Sequence, residues 1–472
     1  MLFPTVNFAL FFVAVLAVSW LLRPYWLPWR LFILGASYFF YGYWDWRFTL
    51  LLAGSTAGNY LFGRLVFRSL QEGRRTRGTK LLIAGDVALN LGVLAWFKYY
   101  GFFATSFVNL LNDSGMDLPL PLVLVALPIG ISFFTFQGIS YVVDISRGTV
   151  KPLRALDFAV FQSFFPHLVA GPIVRASELG PQLEAPPGRP LVDSSRAFTL
   201  IFAGLFKKVV ISSYLASEIV DPVFAVPGEH SSLEVLVAIY AYAVQIYADF
   251  SGYTDIAIGC ALLLGFRFPQ NFDAPYTSRS LQEFWRRWHM TLSRWLRDYL
   301  FIPLGGSRGS RIFTARNLLI TMVLGGLWHG AAWTFVAWGT IHGVGLVVER
   351  YTFPAKEGRE ARWASTVRWI VTFHVVCLAW VFFRAESFDL AWQLLERLGT
   401  AWGDAPLVTP LVLVTVAGSL ALQFLPKDWY ARLQLSFAQM APAGQMACLA
   451  VGLVAIDAFG PEGVAPFIYF RF

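Results

Sequence analysis

Apolar runs long enough to cross a bilayer recur along the whole chain, near 5–22, 31–45, 48–67, 81–104, 120–143, 157–174, 197–219, 233–250, 317–348, 367–384, 406–424 and 444–459. A helix of about 20 apolar residues matches the hydrocarbon thickness. Lipid offers no partner to an unpaired backbone group, so helices rather than loops or open sheets must fill such runs. The expectation is an all-α polytopic membrane protein of roughly a dozen transmembrane and re-entrant helices. Composition agrees, because at 57% hydrophobic and 14% charged a 472-residue chain has more apolar surface than a soluble fold would bury. Residues 5–22 have no Lys or Arg before them, so they read as a retained first span and not as a cleaved signal.

Two stretches interrupt the pattern. FQSFFPHLVAGPIV (161–174) holds Pro166, His167, Gly171 and Pro172, and broken backbone at membrane depth needs protein or a water-filled cavity to cover it. A re-entrant element is expected there, and another around Asp249–Phe266. The net charge of +8 comes from short loops at 68–80, 147–154 and 279–316, and therefore reports orientation, not a nucleic-acid partner. By the positive-inside rule Arg74 and Arg287 face the cytoplasm, while the loop carrying Asp113 and Asp117 faces outwards. Cys260, Cys377 and Cys448 are scattered, with no CxxC spacing, so neither a disulfide framework nor a zinc site follows. With no tandem repeat or long linker, residues 1–472 read as one membrane domain.

The segment QEFWRRWHMTLSRWLRD (282–298) sorts into two faces when wound at about 100° per residue. Trp285, Trp288, His289, Leu292 and Trp295 lie on one arc, and Arg286, Arg287, Arg294 and Arg297 on the other. Such a helix suits a membrane interface, arginines towards anionic head groups or an anionic ligand. His289, at the edge of the apolar arc, adds nothing to a plain anchor.

Six histidines are present, and an ionisable residue within an apolar span is a functional candidate by default. His329 is the sharpest, since Gly325, Gly326, Gly330, Ala331 and Ala332 leave the helix surface around it almost bare. Small residues allow close helix packing, with His329 as a cross-helix hydrogen-bond partner. They equally make room for a substrate beside a general base. His342, thirteen residues further and so several turns deeper, reads as packing. His374 reads as a satisfied interior histidine, His230 as solvated, and His167 as a second-rank candidate for lining a cavity. PLGGSRGSR (303–311) reads as a glycine-rich turn, with Ser307, Arg308 and Arg311 in a position to touch a phosphate. There is no P-loop or HExxH.

The run PQNFDAPYTSRSLQEFWRRWHMTLSRWLRDYLFIPLGG (269–306), followed by GGLWHGAAWTFVAWGTIHG (325–343), resembles the signature of the membrane-bound O-acyltransferase superfamily. Within it, the likeness is to the bacterial branch of AlgI alginate O-acetylases, peptidoglycan O-acetyltransferases and DltB D-alanyl transfer proteins. LPIGISFFTFQGISYVVD (127–144), FPHLVAGPIVR (165–175), YADFSGYTDIAIG (247–259) and the C-terminal FIYFRF (467–472) extend it over nearly the whole chain. The branch ending is FIYFQF, and here Arg471 stands in place of the Gln.

The resemblance implies a ring of helices around a thin centre with a tunnel, a catalytic His329, and His289 nearby at the cytoplasmic mouth. It also implies a cytoplasmic acyl-thioester donor, acetyl-CoA or an acyl carrier, as substrate and not as bound cofactor. Trp285, Arg286, Arg287, Trp288 and Arg294 would bind that donor or line the tunnel, with Asn271, Tyr276, Ser280 and Trp328 from the same matched blocks. Arginines suit phosphates. The acyl group, most simply acetyl, would go to an extracytoplasmic polysaccharide such as alginate, with a secreted or anchored SGNH-type partner and a polysaccharide synthesis complex, all at the bacterial inner membrane. D-alanyl or peptidoglycan O-acyl transfer fits the same fold. A lipid-linked glycan transporter or a non-catalytic scaffold would share the polytopic, basic-inside pattern but need no intramembrane histidine.

Overall fold

The computed structural model describes residues 1, 3–70, 75–115, 125–185, 188, 190, 192–352, 361–460 and 468. Arg74, Asp117 and Arg471 lie outside the described residues. All regular structure among the described residues is helical, and the chain forms two compact units, Met1–Asp193 with Cys260–Pro269, and Ser194–Gly259 with Gln270–Phe472.

In the first unit the chain runs through α1 (Val6–Leu22), α2 (Trp26–Gly42), α3 (Arg47–Ser69), α4 (Arg77–Leu94), α5 (Tyr100–Asp113), α6 (Ile131–Arg147), α7 (Ala155–Ser163), α8 (Phe165–Leu168) and α9 (Ala176–Glu184). Its core gathers Tyr41, Leu52, Leu94, Ile131, Phe134 and Leu168. Some of the polar groups inside it pair across helices. Asn90 donates to Asn59 at 3.0 Å across α3 and α4, and buried Arg30 binds Asp157 and the Leu183 carbonyl. The expected break is present: α7 stops at Ser163, α8 is a single turn, and residues 161–174 are buried throughout, so the irregular backbone is covered by protein.

The second unit contains α10 (Ser194–Leu205), α11 (Ser213–Leu215), α12 (Asp221–Ala225), α13 (Ser232–Leu263), α14 (Leu281–Arg287), α15 (Met290–Leu296), α16 (Arg311–His329), α17 (Trp333–Thr352), α18 (Arg362–Arg384), α19 (Phe388–Thr400), α20 (Pro410–Leu422), α21 (Lys427–Gln439) and α22 (Pro442–Phe459). Three sequence expectations are corrected here. Asp249–Phe266 is not re-entrant, because α13 runs unbroken to Leu263. Its glycines make room for a neighbour instead: a Cβ on Gly252 would lie 2.7 Å from the Gly204 carbonyl oxygen, and one on Gly259 2.7 Å from that of Ala197. The run 317–348 is two helices, not one, and 285–299 is likewise broken, at His289.

Five stretches of described helix are long and apolar enough to cross a membrane: Arg77–Asp113, Ser194–Ala225, Ser232–Leu263, Arg362–Arg384 and Pro442–Phe459. Val6–Leu22 and Pro410–Leu422 are shorter apolar helices. α3 falls short on apolarity, since it carries Asn59, Arg64 and Arg68. The chain is a multi-pass membrane protein.

Candidate active site

The break at His289 is built by the residues around it. Ser280 caps α14 by accepting from the Glu283 N–H at 3.0 Å, and Glu349 accepts from the Leu281 and Gln282 N–H groups at 2.5 and 3.3 Å. After two turns His289 adopts φ 42° and ψ 53°, left-handed for a side chain that gains little from it. Asn271 holds the break in place. Its side-chain oxygen accepts from the Thr291 N–H at 3.1 Å and the Thr291 hydroxyl at 2.8 Å, and its backbone carbonyl accepts from the Met290 N–H at 2.9 Å. That is the capping work a Ser or Asp at position 289 would otherwise do.

The same oxygen lies 3.2 Å from His289 Nδ1. An oxygen already accepting from a backbone N–H is not a donor, so His289 carries its proton on Nδ1 and presents a bare Nε2 lone pair. His289 is fully buried, which lowers the pKa of its imidazolium, and Nε2 has no hydrogen-bond partner among the described residues. A neutral imidazole with a fixed tautomer is a ready proton acceptor.

His329 ends α16, and the chain turns back at once into α17. Gly330 is extended, a conformation open to any residue, yet a Cβ there would fall 1.9 Å from the Phe335 ring. One on Gly326 would lie 2.2 Å from the Phe335 carbonyl oxygen, and one on Gly339 2.4 Å from that of Met322. The small residues noted around His329 therefore serve a tight helical hairpin. At its tip His329 is 3% exposed and packs edge-on against Trp328 and Trp338 at 5.0 Å and Phe383 at 5.3 Å. Its ring centre is 6.4 Å from that of His289, and Trp328 lies 5.9 Å from His289. The two histidines singled out forty residues apart are thus neighbours in one buried aromatic cluster, with Phe250 4.7 Å from His289 on another side.

Because the chain reverses, His342 is not deeper along one span. It stands beside Trp338, 4.9 Å away, and its Nδ1 accepts the Trp285 indole N–H at 3.3 Å. Sequence reasoning placed His342 in packing; its closeness to the site follows only from the turn at Gly330. Trp288 fills the wall between Phe272 and Trp380, each at 5.0 Å. Tyr276 is spent on structure, its hydroxyl donating to the Ala243 carbonyl at 2.5 Å and accepting from Trp380 at 3.2 Å. Arg287 is occupied too, paired with Glu283 at 2.8 Å and donating to the Asp273 carbonyl at 3.3 Å, whereas Arg286 is exposed and Arg294 half-buried. His167 sits in the first unit, 3.0 Å from Gln137 and edge-on to Phe164. His374 is satisfied as expected, by Tyr240 at 2.8 Å, but is exposed and not interior; His230 is half-buried, 3.4 Å from Glu234, and so not simply solvated.

The family model described as MBOAT, membrane-bound O-acyltransferase family, matches residues 88–388. A probable alginate O-acetylase AlgI of Pseudomonas aeruginosa is 44% identical over 371 residues, 78% of this chain and 69% of the relative. A peptidoglycan O-acetyltransferase of Helicobacter pylori is 39% identical over 396 residues, 78% and 73% of the two chains. A teichoic acid D-alanyltransferase of Streptococcus thermophilus is 30% identical over 287 residues, 56% and 69%. The matched region contains both helix breaks and both clustered histidines, and this multi-pass chain belongs to the membrane-bound O-acyltransferase family.

Proposed function

We propose that this O-acyltransferase takes an acetyl group from a cytoplasmic thioester donor, coenzyme A or an acyl carrier, and passes it to an extracytoplasmic polysaccharide such as alginate. The observation that carries the reading is the pair of buried imidazoles with ring centres 6.4 Å apart, one held in a single tautomer by Asn271. His329 removes the proton of the acceptor hydroxyl as its oxygen attacks the thioester carbonyl. The new C–O bond forms, the C–S bond breaks, and the imidazolium returns the proton to the thiolate, a role worth about 10²- to 10⁴-fold in rate. His289 orients the donor or serves as a second acid/base. Burial among aromatic rings excludes water that would otherwise hydrolyse the thioester.

Exposed Arg286 is in a position to meet donor phosphates, with Arg294 two turns further along; Arg287, already paired, contributes by holding the 271–277 loop. Acetyl is favoured over D-alanyl because the O-acetyl-transferring relatives align over 78% of this chain and the D-alanyl relative over 56%. The chain works as one membrane domain in the bacterial inner membrane, with an SGNH-type partner completing transfer within a polysaccharide synthesis complex. The test is His329→Gln, which keeps a donor and an acceptor but takes up no proton. A stable, membrane-inserted variant with turnover lowered at least about 100-fold and polymer export intact is the expected result. Retention of more than about a tenth of wild-type turnover moves the chemistry to His289.

A further inference from the structure

A cavity of about 880 Å³ opens among α14, α16, α17 and α18, and no histidine lines it. That volume lies within the usual range for small-molecule sites, about 300–1,000 Å³. Its lining divides by chemistry. Arg279, Arg311, Arg350 and Arg368 supply four guanidinium groups, and Val367, Val371 and Val375 supply an apolar stripe down one face of α18. The stripe belongs to a helix long and apolar enough to cross the membrane, and Val371 is 56% exposed on it. Arg311 opens α16, Arg350 closes α17 and Arg368 lies in the second turn of α18, so the cationic groups gather where these helices begin or end.

Among the described residues, two carboxylates also line the cavity, and both are engaged. Glu283 pairs with Arg287 at 2.8 Å and accepts from the Arg279 N–H at 2.9 Å, while Glu349 accepts from two N–H groups at the start of α14. The described lining thus combines a surplus of positive charge with apolar side chains. That combination matches a molecule with an anionic phosphate head and a hydrocarbon tail, and basic pockets between spans on the cytoplasmic side recognise such head groups. The thioester donor shares the phosphate chemistry, but its carbonyl would have to reach a histidine, and none is here.

We propose that this cavity binds an anionic glycerophospholipid, its phosphate among the four arginines and an acyl chain along the valine face of α18. Native mass spectrometry of the purified full chain, titrated with dioleoylphosphatidylglycerol or dioleoylphosphatidylcholine, tests it. The anionic lipid binds the wild type preferentially, and the double variant Arg350→Gln/Arg368→Gln holds it roughly thirtyfold more weakly, with phosphatidylcholine binding unmoved. Should the double variant not purify, Arg279→Gln, on an exposed residue, weakens the anionic lipid about fivefold by itself. Undiminished phosphatidylglycerol binding in whichever variant is measured overturns the proposal, as does equal binding of the two lipids. Displacement of the lipid by coenzyme A reassigns the cavity to the donor, and displacement by inorganic phosphate reduces it to an anion site; either result overturns the lipid assignment.

Discussion

His289 concentrates three costs in one residue: a left-handed backbone worth about 1–2 kcal/mol, full burial, and a polar ring atom with no partner among the described residues. Asn271 offsets part of this, since one side-chain oxygen serves Thr291 twice and His289 once. Burial sets the sign of the pH response. The folded-state pKa of His289 is lowered below its ordinary value near 6.5, so the native state resists protonation; stability is full above about pH 6.5 and is lost as pH falls below it. His289→Asn, a residue that tolerates the left-handed backbone, should flatten that acid limb by up to about 1.4 kcal/mol per pH unit. The measurement is thermal unfolding in detergent across the acid range, and an unchanged slope would contradict a buried neutral imidazole. The sequence pointed to His289 because an interfacial helix has no use for it. It could not assign the tautomer, which depends on an asparagine eighteen residues away.

At the scale of elements, 3.6-residue periodicity located the helices and failed at their ends. The 282–298 segment reads as one amphipathic helix because its arcs are clean on either side of His289, yet the break rotates one half against the other. Arg287 then faces Glu283 and the 271–277 loop, not a head group. The reversal after His329 is similarly hidden, because Gly330–Ala332 looks the same whether a helix continues through it or turns. Steric contact decides. Gly330→Ala would drive a methyl into the Phe335 ring, so the hairpin must open, and a loss of about 1–3 kcal/mol in stability together with most of the turnover is expected. Gly418→Ala, in α20 with nothing within 4 Å, should be neutral or stabilising by up to about 1 kcal/mol. Melting both variants in the same detergent checks the contrast, and similar midpoints would mean that the hairpin yields.

For the whole molecule, the Arg77–Asp113 stretch reports orientation, with a basic residue at one end and an exposed aspartate at the other. At about 1.5 Å per residue its 37 residues exceed the roughly 30 Å hydrocarbon core, so it is long enough for its two ends to emerge on opposite sides. In a Cys448→Ser background, which removes the exposed free cysteine, Asp113→Cys should react with an impermeant reagent in intact cells and Arg77→Cys only after permeabilisation. Labelling of position 77 from outside would invert the topology. What the amino-acid order determined by itself is whatever is additive along the chain: membrane residence, helical class, the covered break at 161–174 and the candidacy of His289 and His329, because hydropathy and the cost of a buried imidazole are local. Only the tertiary structure decided that these two rings face each other at 6.4 Å, that His342 joins them through Trp338, and that Arg287 is spoken for. Those outcomes depend on where two helices stop and which neighbour fills the gap, and a contact between residues forty apart leaves no periodicity to read.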